Sequence, residues 1–304
     1  MTRILTMITC PALVLLAVLS APNVFAQPSA EDSDQLKIFA IEALMSAPHE
    51  KALPILIKVM QSENSDRIKA RALFVLSQID EPEAHEVLLD TARSSTGRLQ
   101  GEAIRTIGIG GNPQVIARLA DIYTAGDRRV KEQVLHAYLI AGDAEAVYQA
   151  AVDAPNEDIF ELALNQLGAM GALPQLQRLR EETGASRSLI HAYAVAGDVD
   201  SLLAIARDDS NPEQQVHAMH GLGIASGGDV ARDAMVDIFR SSSDKSVRDA
   251  AMHGLMVGGH DDGLLELFRA STDQNEKAAL LRQLVIMDSD EAMQAIDSAL
   301  SERP

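Results

Sequence analysis

One unit of about 30 residues keeps returning along this chain. Its cleanest copy runs from Ser243 to Ser271, SDKSVRDAAMHGLMVGGHDDGLLELFRAS. A polar start leads into apolar residues at helical spacing, then a Gly-Gly turn, then a shorter helical run. About nine such copies follow in tandem between Asp32 and Glu302. A unit this short cannot bury its own apolar face, so copies must stack and share one continuous core. Alternation at period two is nowhere sustained, which leaves no candidate strand. The chain is therefore expected to be all-α, an α-solenoid of about nine helix hairpins forming an α/α superhelix.

The copies predict particular faces and turns. In the first, Leu36, Ala40, Ala43 and Leu44 share one helical face, and the second helix is read as Ala52 to Met60. Gly142-Asp143, Gly197-Asp198 and Gly228-Asp229 each place a glycine where the first helix needs a left-handed stop. The aspartate then caps the free N–H groups of the next helix. Prolines are read at turns or in a first helical turn, where a missing N–H costs little. The last helix, Glu291 to Glu302, carries Met293, Ile296 and Leu300 on one stripe, as suits a terminal cap.

The first helices also share a pattern, V-[RK]-x-x-A-x-x-[AG]-L. Val247-Arg248, Ala251 and Gly254-Leu255 match it well, and Ile68-Lys69, Ala72 and Leu76 more loosely. Second helices open Ala-Leu-Pro-x-Leu at 52–56 and 172–176. These features resemble HEAT repeats, in the short form noted in phycobilisome lyases. The resemblance implies HEAT-like helix pairs over nearly all of the chain, and it implies no activity, because function in such folds lives in grafted sites. Two-iron hydroxylases built on HEAT repeats carry paired His-Glu dipeptides on their first helices. Here His49-Glu50 and His85-Glu86 lie at or near second-helix starts, so that carry-over fails. Nucleophile-elbow, Walker and His-Glu-x-x-His motifs are absent from the sequence. The chain is read as not an enzyme, with no cofactor.

The N-terminus reads differently from the repeats. Arg3 supplies a positive start, Ile4 to Leu19 is mostly apolar, and Val24-Phe25-Ala26 offers small residues for cleavage before Gln27. We read 1–26 as a signal peptide, 27–31 as a linker and 32–304 as the solenoid. The expected location is periplasmic or secreted, with no membrane span after cleavage. The one cysteine, Cys10, would leave with the signal, which excludes disulfides and thiolate chemistry from the mature chain. Loss of the signal removes Arg3 and no acid, taking the net charge from −18 to −19. A surface so acidic repels nucleic acid and anionic lipid. The partner expected is a protein or peptide of the cell envelope, bound by a monomer.

Aligned copies make one first-helix position conspicuous. It holds Glu42, Phe74, Arg105, His136, Asn165, His191, His220, His253 and Arg282 in turn, and takes four of the eight histidines. Residues at equivalent positions form a ladder along a solenoid. Arg105, His136, His191, His220 and His253 are thus candidate partner-binding residues. His217, His220, Asp249 and His253 are a candidate metal set, if imidazoles from neighbouring helices aim at one another. Glu132 precedes His136 and Asp249 precedes His253 by one turn, so each carboxylate would favour a charged imidazole and make binding depend on pH. Arg93, Arg98, Arg105, Arg118, Arg128, Arg129 and Lys131 form a basic island, an ordinary solvated face or a dock for an acidic segment or anionic glycan. The expected function is an exported, non-catalytic protein- or peptide-binding scaffold, acting through a concave surface lined by second helices. A metal- or pH-dependent binder is the alternative, and a HEAT-scaffold enzyme or maturation factor a more distant one.

Overall fold

A computed structural model of the chain describes residues 30–225, 227–288 and 290–301. The signal and its cleavage point lie outside the described residues. Within them the chain is a run of nine helix hairpins. The first helices are α1 (Ala30–Ala43), α3 (Asp66–Leu76), α5 (Gly97–Gly110), α8 (Arg128–Ala141), α10 (Glu157–Ala169), α12 (Arg187–Ala196), α14 (Pro212–Ala225), α16 (Lys245–Val257) and α18 (Gln274–Ile286). Their partners are α2 (His49–Gln61), α4 (Pro82–Ser94), α6 (Pro113–Ala117) with α7 (Leu119–Ala125), α9 (Ala144–Val152), α11 (Leu173–Thr183), α13 (Val199–Ala206), α15 (Gly228–Ser241), α17 (Asp261–Ala270) and α19 (Asp290–Ser301). First helices pack on first helices of the next hairpin and second helices on second helices, in two layers.

The core lies between the layers. Every first helix from α3 onward sends a large residue into it two positions past the ladder: Leu76, Ile107, Tyr138, Leu167, Tyr193, Leu222, Leu255 and Leu284, all buried. Small residues sit where helices of one layer touch. An added Cβ at Gly108 would lie 2.6 Å from the Ala137 carbonyl oxygen, and one at Gly168 2.8 Å from that of Ala192. At Gly223 it would lie 2.7 Å from the Gly254 oxygen, and at Gly254 2.6 Å from the Met219 oxygen. These backbone-to-backbone approaches join α5 to α8, α10 to α12 and α14 to α16. A side chain there would push the helices apart.

The turns follow the expected chemistry with two corrections. Gly142 and Gly197 are left-handed, and Asp143 and Asp198 accept from the N–H of Ala146 and Ser201 at 3.0 and 3.1 Å. At the third site Gly227 takes the capping position instead, so Asp229 falls in the first turn of α15 and pairs with Arg232 at 3.1 Å. Pro54 is not in a first turn either, because α2 starts at His49 and places it inside the helix. The face assigned to α1 is also corrected. Ile38 and Ile41 are its buried residues, while Leu36, Ala40 and Ala43 are exposed, because the helix packs on α3 through the Ile38 and Ile41 side. In α19 Met293 is exposed, and the side chain of Leu300 lies outside the description.

Polar side chains tie one hairpin to the next. Arg118 pairs with Glu86, Arg178 with Glu145 at 2.9 Å and Arg240 with Glu266 at 2.7 Å, each about one repeat apart in sequence. Buried hydroxyls do the same: Tyr123 donates to the Ala150 carbonyl at 2.7 Å, and Tyr193 to that of Leu176 at 3.1 Å. Burial pushes the Tyr123 phenol up to about 12, with a smaller contribution from Asp153, and also raises that of Tyr138. Tyr123 is thus a donor fixed in the neutral form. Among the described residues no helix is long and apolar enough to cross a membrane.

Candidate functional site

The ladder exists as an exposed row on the first-helix layer. Arg105, His136, Asn165, His191, His220, His253 and Arg282 all face solvent. His220 and His253 meet edge to face, their ring centroids 5.3 Å apart and their planes at 86°. Successive helices leave shallow grooves beneath the row. One of about 470 Å³ between α5 and α8 is lined by Arg98, Arg105, Arg129 and His136 among others. The next, about 500 Å³, runs between α8 and α10 past His136 and Asn165, and a third of about 430 Å³ passes Asn165 and His191. A larger depression of about 610 Å³ lies away from the row, around Asp209, Asp237 and Asp244. Asp244 there is spent on capping α16.

Beside this row runs a second one that the sequence reading passed over. Four residues beyond each ladder position stands a β-branched aliphatic residue in most copies. Ile140 is 39% exposed, Val195 45%, Ile224 48%, Val257 47% and Ile286 68%, with Ile109 half-buried at the start. Residues i and i+4 share a helix face, so the two rows lie side by side. The signal was present in Ile140-Ala-Gly, Val195-Ala-Gly and Val257-Gly-Gly, where an aliphatic residue precedes the turn with no core position left for it. This row lies on the first helices, whereas the surface expected from the sequence was lined by the second.

Two of the histidine readings are corrected by this geometry. Among the described residues no group of three or more His, Cys, Asp or Glu side chains is placed to hold a metal ion. His217, His220, Asp249 and His253 fail to converge because Asp249 turns back to Lys245, 2.5 Å away, and the rings of His220 and His253 pack edge to face. The carboxylates offered as histidine partners are committed elsewhere too. Glu132 pairs with Arg128 at 2.8 Å and Asp249 with Lys245, one turn before them. At His220, which was not part of that pH reading, burial, and then the nearby His253, His217 and Arg187, lower the pKa below the usual 6.5.

The basic island is divided by the fold. Arg93 and Arg118 lie on the second-helix side against Asp90 and Glu86, Arg128 bridges Glu132 and Asp158, and Lys131 reaches the Tyr123 carbonyl. Only Arg98, Arg105 and Arg129 gather, in the groove between α5 and α8.

Two solved structures and one family model match parts of the chain. Human deoxyhypusine hydroxylase, solved with glycerol, is 16% identical with a TM-score of 0.31, over 75% of this chain and 99% of that one. The CpcE–CpcF complex of phycocyanin lyase from Nostoc is 18% identical with a TM-score of 0.30, over 80% of this chain and 91% of that one. No curated protein matches the chain. Both neighbours are enzymes by name, so helix pairs of this kind give no ground for calling the chain non-catalytic, and that expectation is withdrawn. The family model for HEAT repeats matches residues 23–101. Helix hairpins continue from there to Ser301, so the chain is an α-solenoid whose N-terminal part matches the HEAT-repeat model.

Proposed function

We propose that this chain is an exported scaffold that binds a protein or peptide of the cell envelope along its first-helix face. The observation that carries the reading is the aliphatic row Ile140, Val195, Ile224, Val257 and Ile286 beside the polar row from Arg105 to Arg282. These β-branched residues keep 39–68% of their surface in water in the folded chain. Aligned along one face and edged by hydrogen-bonding groups, they have the make-up of a contact surface. A solenoid presents such a surface as one long strip, matched to an extended segment or a helix. Export rests on Arg3, the apolar run Ile4 to Leu19 and the Val24-Phe25-Ala26 site.

The test is cross-linked affinity capture from envelope extract with the wild-type chain and the pair Val195→Asp/Val257→Asp as baits. Both positions are surface sites, so the pair should stay folded by circular dichroism. The expected result is a defined partner held by wild type and lost by the pair, on a bait whose recovered mass begins at Gln27. Equal capture by both baits, or a blank with folded wild type, would overturn the reading.

A further inference from the structure

The groove between α5 and α8 differs from the others on this face in its charge. Three guanidiniums line it, from Arg98, Arg105 and Arg129, with the His136 imidazole beside them. Each of its two carboxylates is paired with an arginine. Glu102 is held by Arg105 through two N–H donors at 2.5 and 3.0 Å, and Glu132 by Arg128 at 2.8 Å. Arg128 in turn shares its charge with Asp158, 2.7 Å away. Arg98 makes no ion pair with any described residue, and Arg129 donates only to the Gly97 carbonyl, at 2.5 Å. The positive charge left over therefore sits on Arg98 and Arg129, within a chain of net charge −18.

The groove's shape and surroundings narrow what it takes. Gly101 on its wall carries no side chain, and the Gln133 amide lies over it. Guanidinium forks match a carboxylate geometrically, two donors to two oxygens. One turn past Arg105 and His136, the aliphatic row begins with Ile109 and Ile140. A carboxylate seated in the groove would thus have apolar groups of the same ligand within reach of that row. The chain's overall negative charge acts against anions at long range, but it is screened over about 8 Å at physiological salt, so the local arginines decide.

We propose that this groove receives the carboxylate side chain of an acidic, aliphatic peptide segment, held by Arg98 and Arg129, with the segment's aliphatic side chains lying on Ile109 and Ile140. The proposal rests on the first-helix face being a binding surface, and it names the class of segment that surface takes. The occupant is a peptide. A sulfated glycan would need cations spread along the face, and beyond this groove the first helices carry Asp158 and Glu161 on α10 and Asp249 on α16.

The experiment is fluorescence anisotropy with a labelled synthetic peptide alternating Glu with Leu and Val, against the chain lacking residues 1–26 and its variants. Arg98→Glu/Arg129→Glu should weaken binding by about tenfold or more, the effect of losing charge-assisted hydrogen bonds. Arg98→Lys/Arg129→Lys keeps the charge and loses the forks, and should fall between the two. Arg207→Glu/Arg269→Glu changes the charge equally at exposed sites elsewhere and should bind as wild type does. Absence of peptide binding, an equal loss in the Arg207/Arg269 pair, or tighter binding of a heparin-type oligosaccharide through the same arginines would each overturn the proposal. The envelope capture keeps the two readings apart. If Val195→Asp/Val257→Asp abolishes capture while Arg98→Glu/Arg129→Glu does not, the groove assignment fails and the scaffold reading stands.

Discussion

The contact most exposed to a single-atom change is the one between α14 and α16, and Gly254→Ala tests it. In an ordinary helix interior this substitution would stabilise by about 1 kcal/mol, since alanine loses less backbone entropy than glycine. Here the added Cβ would lie 2.6 Å from the Met219 carbonyl oxygen and 2.7 Å from Met235 Sδ. The methionine can swing aside; the carbonyl belongs to α14 and can move only with its helix. Relief to an ordinary contact needs the helices to part by nearly 1 Å. That loosens the reciprocal contact of Gly223 on the Gly254 oxygen as well. Overpacking of this kind costs about 1–3 kcal/mol, so the propensity gain is offset and a net loss of up to about 2 kcal/mol is expected. Gly101→Ala is the matched control. Its Cβ meets only the Gln133 side-chain amide, 2.5 Å away and free to rotate, so propensity wins and stability should rise by up to about 1 kcal/mol. Stacked repeats need not unfold as one unit, so urea midpoints should be read with amide exchange localised to α14 and α16. A Gly254→Ala chain as stable as wild type, with unchanged exchange in those helices, would refute the argument.

Two further outcomes follow from the polar groups. Tyr193→Phe removes the buried hydroxyl that donates to the Leu176 carbonyl at 3.1 Å, and should lower stability by about 0.5–1.5 kcal/mol in urea unfolding, with exchange rising in α11 and α12; no change would mean that bond contributes nothing. His220, whose pKa is lowered in the fold, contributes stability that is present above its unfolded value near 6.5 and lost as pH falls through the lower folded value. Thermal midpoints measured from pH 7.5 to 5 should therefore fall less steeply for His220→Gln than for wild type, and identical slopes would refute the desolvation reading.

Much of the fold was legible because each repeat states its own rules locally. Helical periodicity, glycine stops such as Gly142 and capping acids such as Asp143 act within a few residues, and these turns form where the sequence places them. Misreadings occurred where the deciding neighbour lay outside the local window. The buried face of α1 depends on which side meets α3, and Leu36 is left exposed at 71%. The cap before α15 depends on where the chain turns between two glycines, and Gly227 takes it ahead of Asp229.

The candidate site shows the same division. Alignment of the copies was enough to place Arg105, His136, His191, His220 and His253 on one exposed row, because a helical repeat returns equivalent positions to one face. It could not say where their neighbours would reach. Lys245 and Arg128 lie as near in sequence to Asp249 and Glu132 as the histidines do, and rotamers in the folded state decide for the basic residues. The basic island was a fact of sequence, but only stacking one repeat on the next sent Arg118 to Glu86 and left Arg98 and Arg129 together above a groove. Periodicity is a property of one chain segment, whereas a site is a set of distances between segments, and those arise only when helices are packed.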